Sequence, residues 1–77
     1  MKAEYLIELL ADRPFIPIRL HLSNGRIHEI RHPEMVIVSD QIVAIGLPRD
    51  DGSKLAARIT HCSTAHIVEA EPVAAVE

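Results

Sequence analysis

Apolar residues recur along this chain with two different spacings, and the change between them divides it. At the start, Ala3, Leu6, Ile7 and Leu10 follow the i, i+3, i+4, i+7 spacing of an amphipathic helix, with Tyr5 and Leu9 widening the stripe. Glu4 and Glu8 lie toward its N-terminal half and Arg13 at its end, the charge order that a helix dipole favours. Pro14 stops it, so the spacing predicts a helix over 2–12. Strand-like patterning begins at residue 15. Ile18, Leu20 and Leu22 alternate with Arg19 and His21 as far as Asn24-Gly25, a pair that readily takes the positive φ angles of a tight turn. Ile27 to Ile30 then returns as the partner strand. A two-residue turn sets Leu22 opposite Ile27 and His21 opposite His28, and it also sets Glu29 opposite Leu20 on the apolar face. A β-bulge near His28-Glu29 is therefore expected, to bring Ile30 back to the core side.

His32-Pro33-Glu34 is a break, because the residue before a proline is pushed out of the helical region. Met35 to Val38 and Ile42 to Ile45, on either side of Ser39-Asp40-Gln41, read as a second hairpin. These strands are apolar at consecutive positions, so both of their faces require burial, one inside the domain and the other under the helix or a neighbouring subunit. Pro48 to Ser53 is a polar turn cluster, Leu55 to Cys62 a further strand and His66 to Ala70 the last. The short link Ser63-Thr64-Ala65 suits a single 3₁₀ turn. Residues 72–77 are expected to form a flexible C-terminal tail.

These elements predict one mainly β domain over 1–71, a small five-stranded antiparallel barrel with an N-terminal α-helix and strands drawn from 15 to 71. The order of elements, with a first strand ending in Leu22-Ser23-Asn24-Gly25, resembles the SH3-like barrels and, among them, the Sm and Hfq-like proteins. That resemblance implies RNA binding, but the aromatic-plus-lysine-histidine motif of the Hfq-like proteins is absent near the end of the chain. His61-Cys62-Ser63-Thr64-Ala65-His66 is found there instead. The stretch Arg13-Pro14-Phe15, Pro17, Arg19, His21-Leu22-Ser23, Gly25-Arg26, continuing to Arg31-His32-Pro33-Glu34, is similar to a family of short uncharacterised bacterial proteins. This second resemblance implies no particular activity.

A chain of 77 residues buries only about 60% of its unfolded surface, which leaves its stability marginal. Hydrophobic residues make up 48% of it, yet Tyr5 and Phe15 are the only aromatics, so the core must be built from Ile, Leu, Val and Ala. Cys62 is alone and allows no internal disulfide, which makes self-association the remaining source of stability. A lone thiol without a secretory signal pattern points to the cytoplasm, and no apolar run reaches the roughly 18 residues of a membrane span.

Charge is unevenly placed on a chain whose net charge is −3. Residues 13–32 hold four arginines against Glu29 alone, with three histidines in reserve, whereas the segment from Glu69 onward holds three acids and no base. Arg19, His21, Arg26, His28, Arg31 and His32 are thus the candidate contacts to a partner or to RNA, because arginine pairs bidentately with phosphate or carboxylate. The plainer reading, which carries more weight, is a solvated sheet face offset by acids such as Asp12 and Glu34. Single-stranded nucleic acid also needs aromatic stacking platforms, which are nearly absent.

The five histidines raise a metal site, but His61 and Cys62 point to opposite faces of a strand. A His21–His28 pair would leave a tetrahedral site half built, so no metal or other cofactor is expected. Cys62 reads as a small core hydrophobe rather than a nucleophile, and no Gly-rich phosphate loop or catalytic constellation is present. The expected function is a non-catalytic binding or assembly module, a homo-oligomer that also contacts a protein partner. The alternative is Sm/Hfq-like RNA binding through the basic hairpin 19–32, and an enzyme stands a distant third.

Overall fold

The computed structural model describes residues 1–73 of the chain. A helix, α1 (Ala3–Ala11), precedes β1 (Ile18–Leu22), β2 (Ile27–Ile30), β3 (Val36–Val38), β4 (Ile42–Pro48), β5 (Ala56–Ser63) and β6 (Ile67–Pro72). The strands form two antiparallel sheets of three, ordered β2-β1-β6 and β3-β4-β5. A closed five-stranded barrel is not confirmed: among the described residues there are six strands, and no ladder closes the two sheets on each other. The breaks expected at His32-Pro33-Glu34 and Ser63-Thr64-Ala65 are both present, as 3₁₀ turns. Pro33–Met35 separates β2 from β3, where proline supplies no N–H to a ladder, and Thr64–His66 separates β5 from β6.

The β1–β2 register is one residue away from the expected one. Ile18 pairs with Ile30, Leu20 with His28 and His21 with Ile27. The cause lies in the turn. Gly25 N–H donates to Leu22 O at 2.9 Å and Leu22 N–H to Arg26 O at 2.9 Å, which closes a loop of Ser23, Asn24 and Gly25. Only Gly25 has positive φ, +88°, and Asn24 does not. The extra residue therefore sits in the turn, as a glycine of the kind that follows a type I turn. Ile30 reaches the core side without a bulge at His28-Glu29, and His21 and His28 fall on opposite faces of the hairpin. The irregularity of this sheet lies between β1 and β6 instead, where His21 pairs with Glu69 but Leu22 with Ile67.

Between the sheets lies a core of Leu6, Ile18, Leu20, Leu22, Ile30, Val43, Ile45 and Ile67, flanked by partly buried Leu9, Leu10, Phe15, Val36, Val38 and Cys62. The helix buries Ala3 and Leu6. Ile7, expected in the same stripe, stays half exposed with Tyr5. Arg13 Nη1 donates to Leu10 O at 3.0 Å and to Asp12 O at 2.7 Å, which occupies carbonyls left free at the helix end. No described helix is long and apolar enough to cross a membrane. Pro72 ends β6, and Val73 N–H donates to Pro17 O at 2.8 Å, so the sheet reaches into the segment expected as a tail. Residues 74–77 lie outside the described residues.

The Thr64–His66 turn ties the two sheets together. Thr64 N–H donates to Gln41 O at 2.9 Å, and Ser23 N–H donates to His66 O at 2.8 Å. The Thr64 hydroxyl donates to Asp40 O at 2.9 Å, and Thr64 is 6% exposed, a buried polar residue with its bond satisfied. Thr64→Val keeps the shape and removes the donor, leaving the Asp40 carbonyl without this partner. A loss of about 1–3 kcal/mol is expected in a urea unfolding curve, and an unchanged midpoint would show that the turn is not a tie point.

Candidate functional site

The six residues singled out in the basic hairpin divide between two environments. On the outer face of the first sheet, Arg19 Nε lies 3.2 Å from Glu29 Oε1, and Arg31 Nε meets the other oxygen of the same carboxylate. The Arg19 hydrogen bond comes first, ahead of Arg31, in holding the Glu29 carboxyl below its ordinary range. His21 Nε2 lies 2.9 Å from Glu71 Oε1, and His32 Nδ1 lies 3.6 Å from Glu34 Oε2. Four of the six are thus offset by carboxylates, two of which come from within the hairpin or just beyond it. The Glu34 contact is expected from the sequence; the Glu71 contact is not. The Glu71 partner arrives only because β6 lies beside β1.

Arg26 and His28 lie elsewhere. Leu20 faces the core and His28 pairs with it, so His28 shares the inner side of the hairpin at its edge. There it lines a groove of about 420 Å³ between the β1–β2 turn and β5, together with Arg26, His61, Cys62 and His66. Hydroxyls of Ser23, Thr60 and Ser63 complete its polar rim. Arg26 is positioned by the turn, since its N–H donates to Asn24 Oδ1 at 2.9 Å. Burial, and then the Arg26 charge, push the His28 pKa below its ordinary value. Burial raises that of the Cys62 thiol, which packs against the core beside Val43.

Sequence reasoning noticed His61 and His66 only as metal candidates and did not join them to His28. Among the described residues no group of three or more His, Cys, Asp or Glu side chains is placed to hold a metal ion. Ser23 Oγ and His66 Nδ1 share a hydrogen bond at 3.0 Å, and the Ser23 N–H bonds the His66 carbonyl. This double contact clasps the turn to the β5–β6 link. No carboxylate orients His66 within ion-pair distance among the described residues, so the pair lacks the third group of a nucleophile–base–acid relay.

The second feature is apolar. On β3 and β4, Val36, Val38, Val43 and Ile45 turn toward the core, which sends Ile37, Ile42, Ala44 and Gly46 to the other side. Ile59 and His61 of β5 pair with Gly46 and Ala44 and join them. Ile37 is 72% exposed, Ile42 51% and Ile59 62%, although isoleucine is among the residues most often buried. No family, curated protein or solved structure matches the chain.

Proposed function

We propose that this protein is a non-catalytic binding and assembly module whose docking surface is the outer face of the β3-β4-β5 sheet, and that it assembles first with a second copy of itself. The observation that carries this reading is the cluster of exposed isoleucines at Ile37, Ile42 and Ile59. The relief of the face suits a copy of itself. Beyond Ile42 the central strand carries only small residues on this face, Ala44 between Ile37 and His61 and Gly46 beside Met35 and Ile59, so the larger side chains of one copy can sit over the Ala44 position of another across a two-fold axis. A stable interface buries about 800 Å² per partner, roughly a seventh of this chain's 5488 Å² of surface.

The SH3-like or Sm-like architecture is part of the same proposal. Its support is the chain path, which leads from the first sheet into the second through Pro33–Met35 and back through Thr64–His66. RNA binding through hairpin 19–32 is the weaker reading, because Glu29, Glu71 and Glu34 offset four of its six contacts. A reducing compartment such as the cytoplasm suits Cys62, which packs as a hydrophobe. Sedimentation velocity on the full chain at micromolar concentration is expected to give a species heavier than 8.5 kDa, and the double variant Ile37→Lys/Ile59→Lys is expected to run as a monomer, since each lysine must be desolvated in the interface. A wild-type monomer at such concentrations, or a variant that associates as strongly as wild type, would overturn the reading.

A further inference from the structure

We propose that the groove between the β1–β2 turn and β5 is a binding site for a small phosphate-bearing anion, with Arg26, His28 and His66 as its charge-bearing donors. Four observations support the assignment, and none of them depends on the docking face. Every side chain lining the groove is a donor, a cation, a histidine that can become one, a thiol or apolar. No carboxylate lines it, on a chain with eleven acids against eight lysines and arginines. The groove's volume of about 420 Å³ lies within the roughly 300–1,000 Å³ of small-molecule sites. In contrast to Arg19, Arg31, His21 and His32, neither Arg26, His28, His61 nor His66 has a carboxylate within ion-pair distance among the described residues.

The fourth observation is the arrangement itself. Arg26 and His28 lie two residues apart on the side of the hairpin that faces the groove, and the Arg26 charge works against protonation of His28. Burial and the uncompensated Arg26 charge both disfavour the His28 imidazolium, and an incoming dianion would supply the missing counter-charge to Arg26 and to a protonated His28 together. Arginine presents two parallel N–H donors to phosphate oxygens, while protonated imidazoles and the Ser23 and Thr60 hydroxyls can donate to the others. The groups around His28 are Arg26 from the end of the turn, Thr60 and Cys62 from β5 and His66 from the 3₁₀ turn; β1 contributes Leu22, and His61, the partner of outward-facing Ala44, borders the groove from the other face of β5. An anion that favours the imidazolium must by linkage raise the His28 pKa as it binds.

The test is an NMR titration of the five histidine ring resonances of the full chain. Inorganic phosphate, a nucleoside monophosphate and free phosphoserine serve as separate probes, with sodium chloride at matched ionic strength as the control. Saturable shifts are expected at His28 and His66 with an apparent Kd near or below about 1 mM for at least one probe, and not at His21 or His32. The probe that binds most tightly identifies the source of the phosphate. The His28 pKa should rise on saturation. Arg26→Gln should weaken binding about tenfold, His28→Gln should weaken it in the same direction, and Lys54→Gln should leave it unchanged. Equal movement of all five histidines, no saturation with any probe, or an Arg26→Gln variant that binds as well as wild type would overturn the assignment. The sedimentation result bears on none of these outcomes, so the two proposals stand or fall separately.

Discussion

Replacing Leu20 with alanine is expected to cost about 2–5 kcal/mol of folding stability, the range for truncating a fully buried leucine. Leu20 is 0% exposed and sits on the central strand of its sheet, paired with His28 on one side and Ala70 on the other. The core has eight buried members and no disulfide behind it, so neighbours can fill the resulting cavity only by moving strands that other contacts fix. A domain of this length has about 4–12 kcal/mol of total stability, so the loss is a large share of the whole. Urea unfolding followed by circular dichroism should show the midpoint falling steeply or the folded baseline disappearing. A loss below about 1 kcal/mol would mean that Leu20 does not occupy the centre of the core.

Gly25→Val should have the next largest effect. A β-branched residue at a φ of +88° is a genuine outlier, and holding a residue in such a conformation costs about 1–3 kcal/mol. No atom lies within 4 Å of where its Cβ would sit, so the penalty comes from the backbone and not from a clash. Gly25→Asn, which tolerates left-handed backbone better, should recover part of the loss. If the valine variant melts with wild type, the turn does not have the conformation described.

What could be read from the sequence was local. The helix followed from the spacing of Ala3, Leu6 and Leu10, the second hairpin from the turn at Ser39 to Gln41, and the 3₁₀ link from a gap too short for a helix. The doubly apolar strands also announced an outward apolar face, which Ile37 and Ile42 now form. The register of the first hairpin could not be read, because Ser23-Asn24-Gly25 accommodates a two-residue or a three-residue loop equally well. The choice depends on whether Asn24 takes positive φ or uses its side chain to hold Arg26 N–H. That single residue decides which face His28 occupies.

The groove was illegible for the same reason and one more. Its parts come from residues 22–28 and 60–66, and only the packing of the two sheets brings them together. The ion pairs hid in a similar way. The offset expected from Glu34 is found at His32, but the sequence did not show that Glu29 serves two arginines at once or that Glu71 reaches His21 from 50 residues away. Barrel closure could not be read from the sequence, because it depends on a ladder between the two sheets and not on the breaks at Pro33 and Thr64, both of which were expected.

The central claim is that the β3-β4-β5 face meets the same face of a second copy. An isotope-filtered NOE experiment on a one-to-one mixture of ¹³C-labelled and unlabelled chains tests it most directly. Intermolecular NOEs are expected at the methyl groups of Ile37, Ile42 and Ile59 and not at those of Ile7 or Ile16, which are comparably exposed elsewhere on the molecule. NOEs confined to Ile7 or Ile16, or none at any of the five at a concentration where the wild type sediments as an oligomer, would contradict the account.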